Sequence, residues 1–113
     1  MKMHGDYIQV QITFPSPESA EETASALVRE RLAACAQVCG TVRSVYIWNG
    51  ICENSQETLL LAKTKLSLFE RLEAAVKTRH PYECPQIVAL PIQKANEDYL
   101  QWMEEQLSAP ADS

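Results

Sequence analysis

Glycine is scarce in this 113-residue chain, with Gly5, Gly40 and Gly50 the only three, and histidine is scarcer, with His4 and His80 alone. So few glycines leave no G-x-G-x-x-G fingerprint and no phosphate loop, since both need close backbone approach at several positions. Two isolated histidines exclude the H-E-x-x-H metalloprotease helix. Positive charge is thin as well. Ten Lys and Arg stand against fifteen Asp and Glu, giving a net charge of −5 and a pI near 5.0, and the basic residues form no dense run. Nucleic-acid binding depends on neutralising phosphates, so neither DNA nor RNA is an expected partner. Long apolar runs are missing too. None approaches the ~20 residues that span a bilayer. The first run, Tyr7 to Phe14, is broken by Gln9, Gln11 and Thr13 and makes no signal-peptide h-region. A cytoplasmic location without membrane contact is expected.

Four cysteines, Cys35, Cys39, Cys52 and Cys84, lie 4, 13 and 32 residues apart. That matches neither a C-x-x-C redox pair nor a zinc-ribbon spacing. They are expected as reduced, buried or half-buried thiols. With 46% hydrophobic residues the chain can bury roughly 65% of its extended surface, enough for one core. One domain is expected over 1–113, ordered over about 7–107, with a frayed tail at 108–113.

What is present reads as alternating strands and helices. Ile8, Val10, Ile12 and Phe14 alternate with polar residues, the period-2 signature of a strand with one buried face. Ser16 suits a helix N-cap and Pro17 the first helical position, while Ala20, Ala24, Leu27, Val28 and Leu32 recur at helical spacing, predicting a helix over 17–34. A long second strand follows to Trp48, bent at Gly40. In it Cys35 and Cys39 would lie about 13 Å apart at ~3.3 Å per residue, beyond the roughly 7 Å a disulfide tolerates; were the helix to run on, they would be one turn apart instead. Asn49-Gly50 is a hairpin signal, because a type I′ turn needs positive φ at both positions. A third strand is predicted over 57–64. Ser67 and Glu70 form a capping box for a second helix to about Arg79, ended by His80-Pro81. A fourth strand covers 87–92, with Pro91 marking an edge or end. Asn96 opens a last helix carrying Tyr99, Leu100, Trp102, Met103 and Leu107. The order β-α-β-β-α-β plus a C-terminal helix is the α+β, ferredoxin-like split β-α-β arrangement.

That topology puts strand two at a sheet edge, where Val45, Tyr46, Ile47 and Trp48 carry little charge to discourage pairing. Pairing with another copy would close this edge and give a homo-oligomer. The alternative is that the chain's own last helix covers Tyr46 and Trp48.

Catalytic devices are hard to find. A Cys–His nucleophile pair could use His80 with Cys84 or Cys35, but no spacing singles one out, and the acidic residues are dispersed, so no enzyme is expected. His80-Pro81-Tyr82-Glu83-Cys84-Pro85 differs in kind, because two prolines fix the backbone around an imidazole, a phenol, a carboxylate and a thiol. Imidazole and thiolate suit copper or zinc. One His and one Cys do not complete a four-ligand site, so a metal here would be held weakly or shared between subunits.

The strings Glu30-Arg31-Leu32-Ala33-Ala34-Cys35-Ala36, Tyr46-Ile47-Trp48-Asn49-Gly50, Glu57 with Lys63-Thr64, His80-Pro81-Tyr82-Glu83-Cys84-Pro85 and Tyr99-Leu100-Gln101-Trp102, in that order, resemble CutA, the divalent-cation-tolerance family. The resemblance covers about residues 7–107. It implies a tight homotrimer built like the nitrogen-regulatory PII proteins and a cytoplasmic role in tolerance of copper or other divalent metals, with no established catalytic activity. It implies that Trp48, Glu57, Lys63, His80, Tyr82, Tyr99 and Trp102 line clefts between subunits. Family positions assigned to copper, a first-strand cysteine and two adjacent histidines, hold Ile12, Arg79 and His80 here. His80 is therefore the candidate metal residue, Cu(II) or another divalent cation is expected to bind weakly, and no metal is needed for folding. The alternative is a stable trimeric scaffold or PII-like signalling protein, with an unidentified protein partner and only indirect metal effects.

Overall fold

A computed structural model describes residues 6–111 of the chain. The readings of the segment before Asp6, His4 and Gly5 included, and of Asp112 and Ser113 in the tail, lie outside the described residues.

Strand β1 (Tyr7–Phe14) turns Ile8, Val10, Ile12 and Phe14 into the core, all at most 3% exposed. Helix α1 (Pro17–Arg29) starts as its sequence dictates, with Ser16 Oγ accepting from the Ser19 N–H at 3.2 Å. It ends earlier than the 17–34 predicted. Arg31 takes φ 60, the Arg31 N–H reaches the Val28 carbonyl at 3.1 Å, and the Leu32 N–H reaches the Leu27 carbonyl at 2.9 Å. This is a Schellman stop built on a residue other than glycine. Leu32 fits helical spacing yet is buried just past the stop, which is why periodicity overran the end.

Strand β2 (Cys35–Trp48) carries an irregularity between Val38 and Thr41, where Gly40 sits at φ 91. Asn49 (φ 52) and Gly50 (φ 79) then make the positive-φ hairpin turn. Strand β3 (Ile51–Lys65) begins six residues before the 57 predicted. Its first half is polar (Glu53, Asn54, Ser55, Gln56), so burial gives no signal there, and backbone pairing with β2 from Trp48↔Ile51 onward holds it extended. The Ser67 capping box does not form. Leu66–Leu68 is a turn of 3-10 helix that takes Ser67 inside it, and α2 (Phe69–Lys77) follows without a side-chain cap. Strand β4 (Ile87–Pro91) ends on its proline at a sheet edge. Helix α3 (Glu97–Ser108) has Asn96 at its N-cap position, but the Asn96 amide donates to Asp98 Oδ1 at 2.7 Å rather than capping the helix. Beyond it, Arg31 Nε donates to the Pro110 carbonyl at 3.1 Å.

The sheet order is β2-β3-β1-β4 with antiparallel neighbours throughout, the ferredoxin-like α+β arrangement. One face carries Ile8, Val10, Ile12, Phe14, Leu60 and Ala62 against Ala20, Ala24 and Leu27 of α1 and Leu72 and Val76 of α2. Burying each such large side chain contributes about 1.5–3 kcal/mol. Helix α3 packs Leu100 and Met103 on Tyr7 and Ala34. It does not cover the β2 edge. Tyr46 remains 43% and Trp48 47% exposed, so the intrachain cover considered above is absent. No helix among the described residues is long and apolar enough to cross a membrane. All four cysteines are free, but only Cys35 is half-buried, because Cys39, Cys52 and Cys84 sit on the projecting hairpin and the 80–86 loop.

Candidate functional site

The hairpin register assembles one wall of a cleft. Directly paired residues of an antiparallel ladder share a face, so Val42↔Glu57, Ser44↔Ser55, Tyr46↔Glu53 and Trp48↔Ile51 put Ser44, Tyr46, Trp48 and Glu57 on one side. Tyr46 Oη and Ser55 Oγ are 2.8 Å apart across that face. The opposite wall is the segment after α2, where Pro81 and Tyr82 to Cys84 approach the hairpin. Between them lies a cavity of about 790 Å³, reached also by Thr13 and Gln86.

His80 anchors this second wall from behind. It is 9% exposed and stacks on Phe14 at 4.7 Å and 26°. Its Nδ1 lies 3.2 Å from the Tyr82 backbone N–H, which can only donate, and its Nε2 lies 2.6 Å from the Thr13 carbonyl, which can only accept. The partners thus fix the tautomer with the proton on Nε2. Neither nitrogen has a lone pair to spare, and in this arrangement His80 holds the loop rather than offering a metal a ligand. Its ring also packs beside Tyr82 at 4.7 Å.

Tyr82 carries that order into the cavity. Its phenol donates to Glu57 Oε2 at 2.9 Å, and burial, followed by the Glu57 hydrogen bond and charge, pushes the phenol up to about 12. Glu57 itself is 6% exposed. Its backbone is fixed mid-strand opposite Val42, so the carboxylate is presented from a rigid element.

The remaining predicted residues sit elsewhere. Lys63 shares the sheet face of Glu57 but is six residues along β3, about 20 Å at ~3.3 Å per residue. Lys63 Nζ donates to Gln37 Oε1 at 2.7 Å. Cys35 is its cross-strand partner, and Tyr99 on α3, whose ring lies 5.4 Å from that of Trp102, reaches Cys35. The Tyr99 phenol is pushed up to about 12 by burial, with its hydrogen bond to Cys35 and that group's charge adding. One chain therefore gathers Trp48, Glu57 and Tyr82, backed by His80, and separates them from Lys63, Tyr99 and Trp102. Ile12 is wholly buried in the core, and Arg79 reaches Glu30 at 3.3 Å. Sequence reading missed Tyr46 as a cleft residue and gave Glu83 only as part of the His80–Pro85 loop; both line the cavity. Tyr46 could have been found from its even spacing with Trp48.

Residues 8–106 match the family described as CutA1 divalent ion tolerance protein. The chain belongs to this family. It is 49% identical over 96 residues to the divalent-cation tolerance protein CutA of Thermus thermophilus, covering 85% of this chain and 93% of that one. It is 38% identical over 102 residues to human Protein CutA, covering 90% of this chain but 57% of the human one, so it spans little more than half of that longer relative. Among solved structures, Cut A1 from Thermus thermophilus superposes with a TM-score of 0.86 at 47% identity, covering 88% of this chain and 97% of that one. Membership links this CutA chain to divalent-cation tolerance, yet the donors among the described residues do not gather into a metal centre. Among the described residues no group of three His, Cys, Asp or Glu could hold an ion.

Proposed function

We propose that this CutA chain is a non-catalytic, cytoplasmic homotrimer acting in tolerance of divalent metals such as copper, and that it takes a metal ion or small ligand at clefts completed between subunits. The observation that carries the reading is Glu57, a buried carboxylate presented to an aromatic-walled cavity and held by the Tyr82 phenol. Support for assembly comes from β2, paired with β3 on one side only and left at the sheet edge on the other, where Val45 and Ile47 are each 66% exposed. A neighbouring copy pairing there could bring its Lys63, Tyr99 and Trp102 toward the cavity of the first. Three exposed thiols suit a reducing compartment. An acid–base role for His80 toward Cys84 is disfavoured, because both ring nitrogens are already engaged.

The test combines sedimentation equilibrium with calorimetric titration of Cu(II) and Zn(II). A trimer with weak saturable heat that Glu57→Gln diminishes supports the reading. A monomer, or a trimer that binds neither metal nor any small ligand, overturns it. The second reading, a scaffold or PII-like signalling trimer for a partner protein, is favoured by the hairpin end, where Ile51 is 61% exposed beside Trp48, its cross-strand partner, at 47%. Its mark would be a partner retained at high salt through that end and lost on Ile51→Lys.

A further inference from the structure

We infer that the Glu57 cleft selects a small organic cation, bearing an ammonium or guanidinium group, over a bare divalent ion or an anion. The inference rests on the cleft reading above and names the class of ligand for it.

Charge gives the first reason. Glu57 and Glu83 both line the cavity, and no lysine, arginine or histidine lines it with them among the described residues. Glu57 is more than nine-tenths buried, and among the described residues the one hydrogen bond to its carboxylate is the Tyr82 phenol on Oε2. A carboxylate removed from water without a cationic partner is costly, and an incoming cation would offset that cost. An anion would meet two negative charges with nothing to balance them.

The walls give the second reason. Tyr46, Trp48 and Tyr82 surround the same space. Aromatic faces attract a cation through the ring quadrupole, most strongly when it is weakly hydrated. A bare Mg²⁺, Zn²⁺ or Cu²⁺ needs several donors converging at about 2.0–2.3 Å to replace its water. This lining supplies two carboxylates and one thiol, and they do not come together as a ligand group. An alkylammonium needs one carboxylate and an aromatic surface. Both line this cavity. The volume, about 790 Å³, suits a small molecule rather than an ion.

Calorimetric titration of the full chain with butylammonium, butan-1-ol, butyrate and Cu(II) separates charge from chain length. Butylammonium is expected to bind saturably and at least tenfold more tightly than butan-1-ol, with butyrate silent. Glu57→Gln, which keeps the shape, is expected to weaken butylammonium by about 10- to 100-fold, the range of a charge-assisted hydrogen bond. Trp48→Leu should weaken it by about 3- to 30-fold. Glu57→Asp, which keeps the charge, should retain more of the butylammonium affinity than Glu57→Gln, which guards against Glu57→Gln acting only through folding. Equal affinity for butan-1-ol or butyrate, an unaffected Glu57→Gln, or heat from Cu(II) alone overturns the cation selection and leaves the cleft reading standing. No heat from any of the four, with the cleft empty in a crystal structure of the assembly, overturns both. If a lysine or arginine of a second copy already fills the cleft, a crystal structure of the assembly shows it against Glu57 while butylammonium gives no heat, and the free ligand is overturned.

Discussion

Replacing His80 separates a structural imidazole from a metal-binding one. His80→Ala removes the Nε2 donation to the Thr13 carbonyl and the acceptance from the Tyr82 N–H, at 2.6 and 3.2 Å. Two such bonds contribute about 1 kcal/mol each. It also removes ring contacts with Phe14 and Tyr82, both at 4.7 Å, contributing about 0.5–1.5 kcal/mol each. Water entering the vacated site recovers part of this, so the expected loss is about 2–4 kcal/mol, on the order of 10–20 °C in Tm for a domain of this size. His80→Gln can still donate to Thr13 and should lose about half as much. The assay is thermal and urea unfolding at fixed protein concentration, since assembly couples to stability, with Cu(II) titration of each variant below its transition. The expected outcome is lowered stability with an unchanged isotherm in the folded fraction. A His80→Gln protein that melts like the parent and loses Cu(II) binding would refute the reasoning.

The alkaline limb of stability should carry the three shifted phenols. Tyr7, Tyr82 and Tyr99 are each pushed up to about 12, by burial first, with Glu104, Glu57 and Cys35 respectively adding. Folding favours the neutral phenol, so this stability is complete below the ordinary value near ~10 and is lost as pH rises toward 12. Unfolding midpoints should fall across that window, less steeply in Tyr7→Phe, and flat midpoints would contradict the assignment. Gly50→Ala should cost about 1–2 kcal/mol from positive φ alone, because nothing lies within 4 Å of the added Cβ; an unchanged urea midpoint would be inconsistent with the turn. Ile47→Lys, at a position 66% exposed in one chain, should leave subunit secondary structure intact and shift sedimentation toward smaller species. Unaltered assembly would place the interface away from this edge.

The fold was largely legible because its cues are local. Alternation marked β1, Asn49-Gly50 marked the hairpin, and Pro91 marked the end of an edge strand. Errors arose where one pattern served two structures. Leu32 continued a helical stripe while folding past the stop at Arg31, and Ser67 resembled a cap while sitting within a 3-10 turn. The site was only half legible. Composition identified the loop from His80 to Pro85 as chemically distinct, but whether an imidazole faces a ligand or its own backbone depends on the Thr13 carbonyl, 67 residues away in sequence. Family resemblance brought together seven cleft residues that one chain keeps in two groups, because the register places Glu57 and Lys63 far apart on one strand.

The most direct test of the Glu57 cleft as the binding site is a crystal structure of the assembled chain soaked with butylammonium and, separately, with Cu(II). The expected result is butylammonium density against Glu57 between Tyr82 and Trp48, with His80 still bonded to the Thr13 carbonyl and the Tyr82 N–H in both crystals. An ion coordinated by His80 with the Thr13 bond broken, and a cleft left empty by butylammonium, would contradict it.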